Sequence, residues 1–167
     1  MATGASGGDI FAKMKLRGGL RAVIAAMDRR GTVDKSRARA QGNLMIWTLI
    51  QVALGGAIGS SLRYLSNVGA MRWFGPNFPY GTIFVNILGS FAMGVLVVFL
   101  AHKGGNRFAP LLMTGVLGGF TTFSAFGWET LSLLRDGRVL VALAYVTASV
   151  GCSLLAAWLA WVLFRGG

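Results

Sequence analysis

From residue 115 to residue 126 the chain reads Gly115, Val116, Leu117, Gly118, Gly119, Phe120, Thr121, Thr122, Phe123, Ser124, Ala125, Phe126. Glycines, hydroxyls and phenylalanines are clustered there inside an otherwise apolar run. In hydrocarbon each unpaired peptide group costs on the order of several kcal/mol, so broken helix is tolerated only where protein or a water-filled path covers it. The cluster therefore marks a pore or an ion site. Phe123 and Phe126 stand three apart and project near one another on any helix resumed after the break. Aromatic packing would account for them. So would an ion path, because the positive edge of a ring can face an anion while its negative face cannot. Carbonyls freed near Gly118 and Thr121 are oxygens of the type that coordinates an alkali cation.

Other polar groups recur at helical spacing. Thr82, Asn86, Ser90 and Gly94 are four apart, as are Tyr145, Ser149 and Ser153, while Gly55 and Gly59 form a small-xxx-small pair for close helix approach. Interhelical hydrogen bonding explains a single Ser or Thr. For Asn86 two roles stay open, a structural bond and an amide donor that replaces water around an anion. Glu129 is the one acidic residue inside a span, and an intramembrane carboxyl group is a functional candidate by default. Arg63, at the end of the first span, could pair with it as scaffold. No set of nucleophile, base and orienting group is present, so no enzyme is expected. The single cysteine, Cys152, excludes a disulfide framework within the chain and reads as small-residue packing. The single histidine, His102, reads as a loop residue beside Lys103, and Arg165 as an interfacial anchor.

These groups must be positioned by helices in a bilayer. A chain of 167 residues that is 54% hydrophobic and 13% charged lies outside soluble norms. Apolar runs of about 20 residues predict four membrane spans, 45–65, 81–101, 109–134 and 139–164. The fold class is thus all-α membrane protein with a break in the third helix and both termini on one side. Pro110 suits a first helical turn, and Gly104, Gly105, Asn106, Asp136 and Gly137 supply the breaks around the third span.

Residues 1–44 form a basic N-terminal extension, distinct from the four-helix domain over 45–167. Nine Lys/Arg stand against Asp9, Asp28 and Asp34 there. Ile10, Met14, Leu20, Ile24 and Met27 recur among Lys13, Lys15, Arg17 and Arg21, as in a helix lying on anionic lipid. A disordered extension and a true start at Met45 are the alternatives, and a secretory signal is disfavoured by the short apolar core. Without the extension, Lys103, Arg107 and Arg165 oppose Arg63, Arg72, Arg135 and Arg138, a near-tie that permits insertion both ways. With it the terminal side holds twelve basic residues against four, which places the termini in the cytoplasm. The net charge of +11 does not indicate nucleic acid, because most of it sits in this extension without a recognition motif.

Three ordered motifs carry a family resemblance. They are Gly55, Gly56, Ala57, Ile58, Gly59 through Arg63 and Tyr64; Gly81 through Phe91, with Asn86 in its middle; and Gly118 through Phe126. With them the chain from Met45 to Phe164 resembles the CrcB/Fluc fluoride channels. The resemblance implies an antiparallel, dual-topology homodimer in the plasma membrane, with two narrow fluoride pores and a central structural sodium ion. It implies sodium coordination by the Gly118 and Thr121 carbonyls, Phe123 and Phe126 as pore aromatics, Asn86 as pore amide, and Ser124 and Ser149 as hydroxyls along the route. Arg63 and Glu129 also match family positions. Ala125 and Gly127 depart from it, standing where the family commonly carries hydroxyls, and the basic extension lies outside its compact pattern. A subunit of single orientation paired with an oppositely oriented paralogue is the alternative assembly. A proton-coupled exporter of the small multidrug-resistance type shares the size and topology but needs a carboxylate in its first span, and residues 45–65 contain none. A purely structural membrane subunit would leave the pore-type residues unexplained.

Overall fold

The computed structural model describes the backbone of residues 7–102 and 107–165 and the side chains of residues 37–101 and 107–165. Expectations for Lys103, for the break at 104–106 and for the side chains of His102 and of the basic extension up to residue 36 lie outside the described residues. Helix α1 covers Gly7–Phe74 and α2 Tyr80–His102. A π-helix follows over Pro110–Leu117, then α3 over Gly118–Phe120, α4 over Phe123–Arg135 and α5 over Val139–Phe164. The chain divides into two compact units, residues 1–46 and 47–167.

Among the described residues four segments are long and apolar enough to cross a membrane: Arg37–Phe74, Tyr80–Ala101, Pro110–Arg135 and Val139–Phe164. Three begin and end within a residue or so of the apolar runs. The first is longer at both ends, because helix continues through the more polar residues beside the apolar stretch. Gly75 (φ 80°) and Gly137 (φ 73°) are the positive-φ residues that stop α1 and turn the chain between α4 and α5. Pro110 occupies the first turn of its helix, where its missing N–H leaves no gap.

Glycine determines how α1 meets the third span. A Cβ on Gly55 would run into the Leu111 carbonyl and one on Gly59 into the Val116 carbonyl, while one on Gly119 would stand 2.8 Å from the Gly56 carbonyl oxygen. Main chain rests on main chain along this seam, the close approach that small residues allow between membrane helices. On the other side of the bundle Gly94 of α2 lies against Ala157 and Ala160 of α5, and Phe91 meets Phe164 edge-on at 6.5 Å. The best-buried cluster is Phe126, Leu133, Ala142 and Tyr145, with Phe78 and Ile83 against it. No span buries more than 28% of its apolar window inside one chain, so most of its lateral surface faces lipid or another subunit. Cys152 belongs to that outer surface, not to the small-residue packing expected of it.

Candidate functional site

Helix stops at Thr121 and Thr122, halfway along the third span. Thr121 (φ −76°, ψ 157°) and Thr122 (φ −151°, ψ 122°) are extended, and α4 restarts at Phe123. Such a break persists in a membrane only if its peptide groups find partners, and each can be traced. The Thr121 N–H and hydroxyl both donate to the Leu117 carbonyl, at 3.0 and 2.9 Å. The Thr121 carbonyl accepts a long bond from Nη1 of Arg63 at 3.5 Å. Asn86 of α2 holds Thr122 from both sides: its Oδ1 accepts the Thr122 N–H at 2.8 Å and its Nδ2 donates to the Thr122 carbonyl at 3.1 Å. The Thr122 hydroxyl then caps α4 by accepting from the Ala125 N–H at 3.2 Å. Gly89 makes room for the break, since a Cβ there would collide with the Thr121 methyl.

The break shapes a cavity of about 590 Å³ between α2, α4 and α5, lined by Asn86, Thr121, Phe123, Phe126, Ser149 and Ser153 among others. Phe126 is buried, and its ring lies 5.3 Å from that of Tyr145 and 5.5 Å from that of Phe123 at 45°, so ring edges are presented instead of a parallel stack. Phe123 is 82% exposed, a phenyl ring held by few neighbours of its own chain. The first turn of α4 opens here, and its dipole favours negative charge. The second N–H of the Asn86 amide is not used in holding Thr122, so one group can secure the backbone and still offer a donor.

Glu129 lies one turn beyond Phe126 and is held differently from the sequence expectation. Its Oε1 accepts from the Thr82 hydroxyl at 2.9 Å and its Oε2 from the Tyr145 hydroxyl at 2.6 Å. The anticipated pair with Arg63 is not made, because two closer O–H donors fill the carboxyl group and Arg63 turns to the Thr121 carbonyl. Glu129 also lines a second cavity of about 430 Å³, with Asn67, Asn77, Ser132, Asp136 and Arg138, at the end of the bundle where α2 begins and α4 ends. Polar groups thus extend from the central break to one membrane face. Tyr145→Phe removes one of the two donors from a part-buried carboxyl group. It should lower stability by about 1–3 kcal/mol, read as a lower thermal midpoint of the purified protein.

The predicted residues are gathered unevenly. Asn86, Phe123, Phe126, Thr121 and Ser149 share the central cavity, and Ser149 is only 4% exposed. Ser124 is exposed, with its hydroxyl 3.3 Å from that of Thr122. Gly118 sits in helical geometry below the break, and the Thr122 N–H that would ordinarily bond its carbonyl is diverted to Asn86. Two carbonyls, of Gly118 and Thr121, are thereby withdrawn from regular helix bonding, which suits an alkali cation in ligand type but is too few for a full shell from one chain. Three residues were not singled out as site residues: Thr82 and Tyr145, which hold Glu129, and Ser153, whose buried Oγ has no hydrogen-bond partner. All three stood in the four-residue stripes, and a carboxyl group within a span demands donors of their kind.

Comparison with known proteins adds an independent line. Residues 50–161 match the family model described as CrcB-like protein, Camphor Resistance (CrcB). A Cereibacter sphaeroides protein named fluoride-specific ion channel FluC is 66% identical over 110 residues, covering 66% of this chain and 88% of its own length. Proteins of the same name from Paracoccus denitrificans (55% over 109 residues, 65% and 87% of the two lengths) and from a Ruegeria species (51% over 123 residues, 73% and 98%) are also similar.

Proposed function

The chain belongs to the CrcB family, and from that premise we propose that it is a fluoride-selective channel of the plasma membrane, acting as a passive path and not as an enzyme. The observation that carries the reading is the mid-span break, where Asn86 grips Thr122 beside the rings of Phe123 and Phe126 in one cavity. Hydroxyl, amide and ring-edge donors suit a small, hard anion, and among the described residues no Lys or Arg lines that cavity, which lets the ion leave as readily as it enters. Ser149 and Ser153 continue the donor track along α5.

Two copies in opposite orientation would complete the site. A second set of Gly118 and Thr121 carbonyls would supply the shell that one chain lacks for a central sodium ion, and Arg63 would hold the Thr121 carbonyl in place. When bound, sodium supplies a fixed positive charge that ties two subunits together. Hydrogen fluoride crosses lipid as the neutral acid and is trapped as the anion in a less acidic cytoplasm. A passive route drains that pool, favoured by about 2.3 kcal/mol per charge for each 100 mV of negative-inside potential.

Fluoride efflux from liposomes carrying the purified protein tests this. Fast efflux of fluoride, with chloride retained, is expected. Phe123→Ile, which keeps bulk but removes the ring edge, should slow it at least about tenfold, equivalent to ~1.4 kcal/mol of barrier. Equal release of chloride and fluoride, or an unaltered rate in the variant, would overturn the assignment.

A further inference from the structure

The family match covers residues 50–161 and leaves the basic N-terminal unit to be explained separately. Its backbone is helical from Gly7. On a helix, Leu16, Leu20, Val23 and Met27 recur at steps of four, three and four, and Lys13, Arg17 and Arg21 at steps of four on the adjoining strip, where Ile10 and Ile24 also fall. Nearer the membrane come Arg29, Arg30, Lys35, Arg37 and Arg39, against Asp28 and Asp34 alone. An apolar stripe flanked by cations suits the boundary between acyl chains and anionic headgroups, and a basic cluster immediately before a span suits the same headgroups. Gly18, Gly19 and Gly31 make this a weak helix in water, so it needs a surface to hold it.

We propose that residues 7–39 form an arm that binds the anionic lipid surface on the side of the membrane where the termini lie. The commitment to lipid over nucleic acid rests on the apolar stripe, which a phosphate backbone would leave uncovered, and on covalent attachment at the membrane surface.

The full-length protein in nanodiscs tests this, since both membrane faces are then open and orientation is immaterial. An environment-sensitive NBD dye is placed at Leu20→Cys in a Cys152→Ala background. Phosphatidylcholine discs containing about one-third phosphatidylglycerol should give a blue-shifted, several-fold brighter signal than pure phosphatidylcholine. The shift should reverse in about 1 M salt, where charges act over only about 3 Å, and vanish when Lys13, Arg17, Arg21, Arg29 and Arg30 are all glutamine. Trypsin cleavage of the unlabelled wild-type arm should slow several-fold in the same anionic discs. Equal signals and equal cleavage in both lipids would overturn the proposal, and so would a response to an added RNA oligonucleotide with none to phosphatidylglycerol. None of these readouts depends on ion conduction, so the arm and the channel reading stand or fall separately.

Discussion

Asn86→Leu should abolish fluoride efflux and destabilise the protein together. Leucine keeps the γ-branched shape of the asparagine, though it is larger, and leaves the Thr122 N–H and carbonyl without the bonds they make at 2.8 and 3.1 Å. Two peptide groups orphaned in a part-buried membrane interior cost about 1–3 kcal/mol each, and more where lipid, not water, is the alternative. Thr122 either withdraws into helix, which rotates Phe123 and Phe126 away from the cavity, or the third span fails to pack. Asn86→Asp separates the two bonds: it preserves an acceptor for the Thr122 N–H and sets oxygen against oxygen at the carbonyl, so an intermediate loss follows. Thermal midpoints and efflux rates of both variants are the measurements. A wild-type midpoint for Asn86→Leu would mean that the break is held by something other than this amide.

Gly59→Leu should yield no folded protein. The first side-chain carbon would overlap the Val116 carbonyl, with the Phe120 N–H 2.9 Å away, and neither neighbour is a flexible side chain that can swing aside. The seam between α1 and the third span must open, and the Arg63 bond to Thr121 opens with it. Overpacking costs typically 1–3 kcal/mol where side chains can adjust, and here the loss sits at or beyond about 3 kcal/mol. Gly56→Ala is the matched control, because its Cβ meets nothing within 4 Å. Size-exclusion profiles in mild detergent distinguish them: a single sharp peak for Gly56→Ala, aggregate for Gly59→Leu. A sharp peak for both would show that the seam is loose.

Hydropathy made the spans legible because a bilayer demands about 20 apolar residues per crossing, and the limits of α5, Val139–Phe164, follow from that alone. The break was legible from the cluster of Gly118, Gly119, Thr121 and Thr122, residues that weaken helix or compete for its bonds. Its exact place was not, since it depends on which peptide group Asn86 reaches from another helix. The π-helix over Pro110–Leu117, in which Gly115 lies against Gly55, was likewise not legible in the sequence. Glu129 was found by its rarity within the spans, yet its partners were misjudged. Opposite charge suggested Arg63, whereas three-dimensional register brought Thr82 and Tyr145 closer. Periodicity within one helix gives faces, and only the pairing of faces between helices gives partners.

A gate needs a part with two stable settings. Where backbone is seated on backbone, as between α1 and the third span, there are no rotamers to exchange and no second setting to adopt. Rotamers are free to change at exposed cavity side chains such as Phe123 and Leu154. The α2, α4 and α5 wall of the cavity is built from side chains instead, so any moving part would have to lie there and not along the seam.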